Sequence, residues 1–156
     1  TDHLPERYRD LLQIGREEGI KPTFEYISFF KSVYRLADAW DIVQKADDTD
    51  STIILDAFHN WNSNSTLEDL RQIPLEKISH YHIDDAACGK PPTTQKDPDR
   101  VMIGEGQIDL KAEIAVLKEI GYDKTVSLEL FNAELWEQDP LEVISTGLTR
   151  MKELFA

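Results

Sequence analysis

Cysteine is all but missing. Cys88 stands alone among 156 residues, which excludes an internal disulfide and a zinc site built from cysteines. Positive charge is scarce as well. The 17 Lys and Arg are outnumbered by 30 Asp and Glu, for a net charge of −13. A field of that sign repels phosphate backbones and anionic membranes, so nucleic-acid binding is disfavoured. No stretch approaches the ~18 consecutive apolar residues of a membrane span. No basic, then apolar, then small-residue leader is visible. Together with the lone thiol, these absences fit a reducing, cytoplasmic setting. The chain opens on Thr1 rather than Met, read here as a sign that an N-terminal part has been removed.

What is present is ordinary for a globular domain, with 40% hydrophobic and 30% charged residues. The patterning alternates between two periods. Residues 5–18 read as a helix with Leu11, Leu12 and Ile14 as its apolar stripe and Gly19 as its stop. Residues 21–27 read as a short strand. Residues 33–46 are helical, with Val33, Leu36, Ala37, Trp40 and Val43 at helical spacing. Thr52–Asp56 is a buried strand. Ser65-Thr66-Leu67-Glu68 resembles a capping box before a short helix. Ile78–Ile83 is the third strand, and a polar loop over roughly 86–107 follows it. Asp109 caps a helix that runs to Ile120 and ends at Gly121. Thr125–Leu130 is the fourth strand, and Asp139-Pro140 opens a last helix over 140–154.

This order predicts an α/β fold with a parallel sheet covered by helices. About four βα units are present, roughly half of a closed (β/α)8 barrel, which takes ~250 residues. The chain is read as one domain over 1–156. It is either part of a longer barrel or a half-barrel that pairs with a second copy.

Glu25, Asp56, His82 and Glu129 each end one of the four apolar runs. Side chains at equivalent ends of successive parallel strands converge. Three carboxylates and an imidazole at one point suit a divalent cation, Mg2+ or Mn2+ by hardness. Each residue taken alone also reads as an isolated polar strand end. His80 shares the strand face of His82 and is the second candidate for the imidazole position.

Five segments occur in one register. They are Glu25 within Thr-Phe-Glu-Tyr, Asp56-Ala-Phe-His59, His82-Ile-Asp-Asp85, Gly104-Glu-Gly106-Gln-Ile-Asp109, and Gly121-Tyr-Asp-Lys-Thr-Val-Ser-Leu-Glu129. Together they resemble the C-terminal half of the xylose-isomerase-like TIM-barrel superfamily. Its members include sugar and sugar-phosphate isomerases and epimerases, dehydratases of inosose and 3-dehydroshikimate, and endonuclease IV. The resemblance implies a metal-dependent isomerase or epimerase that removes a proton beside a carbonyl and passes through an enediolate. The metal ligands would be Glu25, Asp56, His82 and Glu129, holding Mn2+ or Mg2+, with Co2+ or Zn2+ as further options. Glu25 and Glu129 would be the acid/base pair, and His59 would touch a substrate oxygen. The substrate would be a small sugar, sugar phosphate or polyol. A dehydratase or a non-catalytic barrel fragment are the alternatives. The nuclease fits poorly with four histidines and the acidic balance.

The remaining candidates each carry two readings. Arg100 meets an anionic substrate group or is simply exposed. Asp85 orients His82 or caps a loop. Gly104-Glu-Gly106 binds phosphate or forms a tight turn. Asn132 and Trp136 line a site rim or pack. Asn64-Ser65-Thr66 has the form of a glycosylation sequon and is read as helix capping.

Overall fold

The computed structural model describes residues 3–156. Helix α1 (Leu4–Glu18) ends on Gly19, whose φ of 71° is the left-handed conformation that glycine adopts without strain. Its buried face is Tyr8, Leu12 and Gly15, while Leu11 and Ile14 are exposed. Of the expected stripe, Leu12 is buried and the other two are not. Tyr8, Leu12 and Gly15 also lie at helical spacing (i, i+4, i+7), and the smallest of them lets Pro22 pack directly on the helix. The Tyr8 hydroxyl donates to the Thr52 carbonyl (2.8 Å) and accepts from the Thr52 amide (3.0 Å). This buried exchange ties α1 to the chain entering the sheet.

The sheet has three parallel strands in the order β1 (Ile53–Asp56), β2 (Ile78–Ile83), β5 (Val126–Leu128). The expected strand over 21–27 reduces to one parallel bridge, Phe24 to Ile53. Pro22 has no N–H to donate, which shortens any ladder there. Thr125–Leu130 likewise narrows to three residues. Strand β1 is buried along its whole length and β5 is only half-buried.

Helix α2 (Leu36–Ala46) buries Leu36, Ala39, Ile42, Val43 and Ala46 against β1. It begins three residues later than the periodicity suggested. Asp56 ends β1 and at the same time caps a short helix that the sequence reading missed, α3 (Ala57–Asn62), by accepting from the His59 amide at 2.7 Å. Helix α4 (Leu67–Arg71) opens with a capping box made by Thr66 and Asp69, one residue beyond the expected Ser65 and Glu68. Helix α5 (Leu110–Glu119) starts at Asp109, as the capping pattern implied. Helices α6 (Ala133–Trp136) and α7 (Pro140–Phe155) complete the chain, and Asp139 caps α7. Gly147 brings α7 against β5, where any added side-chain carbon would meet Leu128.

The long loop after β2 is not structureless. Its ends pair as a two-residue antiparallel ladder, β3 (Asp85–Ala86) with β4 (Arg100–Val101). The intervening strap returns the chain to the sheet at Arg100. No helix among the described residues is long and apolar enough to cross a membrane.

Candidate metal centre

The register of the sheet decides where the polar strand ends lie. Asp56 on β1 stands beside His82 on β2, and His82 stands beside Ser127 on β5. Glu129 follows two residues on, its amide donating to the Ile83 carbonyl at 3.3 Å. Glu25 follows the Phe24 bridge on the other side of β1. All four therefore reach the carboxyl end of one parallel layer, where barrel folds place their chemistry. Glu25, Asp56, His82 and Glu129 offer one ligand atom each, and these atoms lie within 4.8 Å of one another. His80 is not in the group.

His82 shows what the cluster is built to hold. Its Nδ1 is buried and makes no hydrogen bond, yet it sits 3.3 Å from Glu25 Oε1, 3.3 Å from Glu129 Oε2 and 3.8 Å from Asp56 Oδ2. Burial pulls the pKa of the ring down, but the surrounding carboxylates outweigh it and raise the value to about 11. Three carboxylate oxygens aimed at one nitrogen suit a positive charge between them, and a divalent cation fits this donor set with room for water or substrate oxygens.

The site rests on a buried arginine. Arg100 is 1% exposed, which removes the exposed one of its two readings. Its Nη1 donates to Asp56 Oδ2 at 2.8 Å and to Asp84, and lies 3.4 Å from Glu129. Its Nε donates to Asp97 at 3.2 Å, and its Nη2 donates to His59 Nε2 at 3.1 Å. Phe58 stacks beneath the guanidinium at 4.8 Å from ring centroid to carbon. Burial would raise the pKa of Asp56. The contacts with His82, Arg100 and His59 instead hold that carboxyl well below its ordinary range. It remains an anion in a fully buried position.

His59 is buried too. Arg100 donates at its Nε2, while its Nδ1 lies 3.0 Å from Ser28 Oγ and 3.4 Å from the Ser28 amide nitrogen. Burial lowers its pKa, in keeping with a neutral ring. Both ring nitrogens thus have protein partners.

Asp85 does not reach His82. Its Oδ2 accepts from the Gly104 and Gly106 amides, each at 3.1 Å, and its Oδ1 accepts from Ala86 and Ile108, each at 2.9 Å. The Gly104-Glu-Gly106 turn is accordingly filled by an anion of the chain itself, and its amides are not open to phosphate. Gly106 leaves no space for a side chain, because a Cβ there would overlap Asp85 and the Ala86 carbonyl. Asn132 donates to the Arg100 carbonyl at 2.9 Å and supports the strap. Trp136 is exposed, with its indole N–H on the Leu130 carbonyl.

Asp84, Asn60 and Glu113 were not singled out from sequence. Asp84 is buried against Arg100. Asn60 accepts from the Tyr26 hydroxyl and donates to Glu113, linking α3 to α5 through the core. A buried carboxylate on a helix carries no signal in the chain itself, because Glu113 sits in a helical pattern where acids usually face water.

Known proteins resemble this chain in sequence and fold. A family model described as xylose isomerase-like TIM barrel matches residues 1–154. Inosose isomerase of Bacillus licheniformis is 36% identical over 139 residues, covering 88% of this chain and 50% of that protein. A 3-dehydroshikimate dehydratase of Pseudomonas aeruginosa is 28% identical over 130 residues, 83% of this chain and 20% of that protein. Among solved structures, a crystal structure of IOLI protein with a bound zinc atom superposes with a TM-score of 0.91 at 32% identity. That match covers 97% of this chain and 55% of the other. The chain spans about half the length of the inosose isomerases it matches.

Proposed function

The chain belongs to the xylose isomerase-like TIM-barrel family, and from that premise we propose that it supplies the metal-binding part of a divalent-metal-dependent isomerase of small sugars or cyclic polyol ketones. The observation that carries this reading is the convergence of Glu25, Asp56, His82 and Glu129 within 4.8 Å around an imidazole nitrogen without a hydrogen bond. Inosose isomerases at 36% identity make an inosose the first substrate to try.

The chemistry follows from where charge must develop. The four ligands would hold Mn2+, Mg2+, Co2+ or Zn2+, which as a Lewis acid would stabilise negative charge on the substrate's carbonyl oxygen. Glu25 takes the proton from the hydroxyl-bearing carbon beside the carbonyl; the C–H electron pair forms a C=C bond and the carbonyl π pair moves onto oxygen. Glu129, on the far side of the cluster, takes the proton of that carbon's hydroxyl and delivers it to the former carbonyl carbon, Glu25 gives its proton to the former carbonyl oxygen, and the ketone moves by one position with both carboxylates restored. His59 and Arg100 would work from behind the ligands. Arg100 fixes the outer face of Asp56, and His59 fixes Arg100. Direct contact of either with substrate would require one of their protein bonds to be exchanged for a substrate oxygen.

The 3-dehydroshikimate dehydratases among the relatives support a second reading. The same proton abstraction followed by loss of a neighbouring hydroxyl would expel water. Incubation of the Mn2+-loaded protein with an inosose in D2O separates the two. Isomeric ketone carrying deuterium at the exchanged carbon is the expected result. A product lighter by one water would establish the dehydratase. Recovery of unlabelled, unchanged ketone would remove the proton-abstraction reading for that substrate.

A further inference from the structure

Strand β2 carries two histidines on one face, and the metal-binding reading uses one. The Nε2 atoms of His80 and His82 lie 3.0 Å apart, with the rings tilted by 58° and their centroids 4.8 Å apart. We propose that His80 is a positioning residue that fixes the tautomer of His82, and so turns the His82 Nδ1 lone pair toward the three carboxylates. The proposal rests on the metal-binding reading above and deepens it.

A neutral imidazole has one proton for two nitrogens. For Nδ1 of His82 to serve a cation, the proton must reside on Nε2, and Nε2 then needs an acceptor. Metal-bound histidines ordinarily donate that proton to a carboxylate, a backbone carbonyl or water. Among the described residues, the hydrogen-bond partner at His82 Nε2 is His80 Nε2. His80 must therefore accept, and carries its own proton on Nδ1.

The test is the Zn2+ dissociation constant, read by competition with a chelating dye, for the wild type, His80→Phe and His80→Gln. Phenylalanine keeps a ring in place and removes the acceptor, and is expected to weaken Zn2+ binding about 10- to 100-fold. Glutamine restores an acceptor oxygen near the Nε2 position and is expected to stay within about 3-fold of the wild type by the same logic. Long-range nitrogen–proton NMR of the Zn2+-loaded wild type should place the remaining His82 proton on Nε2, a readout independent of any variant's folding. Wild-type affinity in His80→Phe, an equal loss in His80→Gln, or a His82 proton found on Nδ1 would each overturn the positioning role while leaving the metal reading in place. A wild type that fails to bind Zn2+ would instead overturn the metal reading, and this inference with it.

Discussion

The β1–β2 part of the sheet and the β5–α7 flank are made from the same strand-then-helix repeat, yet they are covered very differently. Strand β1 is wholly buried between its neighbours, and α2 packs five residues against the core. On the flank, β5 is half-exposed along its length, and Gly147 is the buried residue of α7. Leu141, Ile144 and Leu148 of α7 lie at helical spacing and face away from the sheet. The same apolar code is satisfied in one place and unsatisfied in the other. Apolar patterning therefore reports that a face is meant to be covered, not that anything in the chain covers it. The polar residues divide the same way. Buried polar groups gather at the end of the β1–β2 part, where Arg100 bonds Asp56, Asp84 and His59.

The contrast breaks most sharply at Arg100. Replacing it with methionine leaves Asp56 and Asp84 buried without their counter-ion, and is expected to cost about 3–5 kcal/mol in chemical denaturation. A loss below about 1 kcal/mol would mean that the centre tolerates unpaired charge.

Leu55→Ala removes a fully buried side chain from β1 and is expected to cost about 2–5 kcal/mol. The paired experiment on the flank comes last in this series.

Glu113 gives a pH signature confined to the buried part. Burial lifts its carboxyl to about 7, against the hydrogen bond from Asn60. A folded-state pKa above the unfolded one means that its stabilisation is complete below the unfolded value of 4.5. It is lost as pH rises through 7. The wild type should lose on the order of 2–3 kcal/mol from this group between the two limits, and Glu113→Gln should remove that slope. An unchanged slope in the variant would assign the pH dependence elsewhere.

Ile144→Ser sits at the quiet end. The side chain is 62% exposed, so the substitution should change stability by less than about 0.5 kcal/mol. A cost close to that of Leu55→Ala would show that the flank is covered in solution, and the contrast between the two regions would fall.

The same contrast explains what was legible from sequence. Strands β1 and β2 and the helix after Asp109 declared themselves because their burial agrees with their periodicity. The convergence of Glu25, Asp56, His82 and Glu129 was legible because one register carries each of them to the same sheet end. The segment around Phe24 was overcalled as a strand, since Pro22 and a single bridge are invisible to an alternation rule. In helix α1 the stripe is right at Leu12 and wrong at Leu11 and Ile14, because those two outweigh a glycine on any hydrophobic count, while packing favours Tyr8 and Gly15. Helix α3 was hidden by its length, and the β3–β4 ladder by its two-residue strands. Arg100 and Glu113 could not be placed at all from residue type. Charged side chains are buried only when distant partners meet them, and Arg100 meets Asp56 from 44 positions away in the chain.

Diffraction from crystals grown with Mn2+, collected to exploit the metal's anomalous signal, tests the central claim most directly. A single peak enclosed by Glu25, Asp56, His82 and Glu129 is the expected result. A peak elsewhere, or four well-ordered side chains with no peak between them at saturating Mn2+, would contradict it.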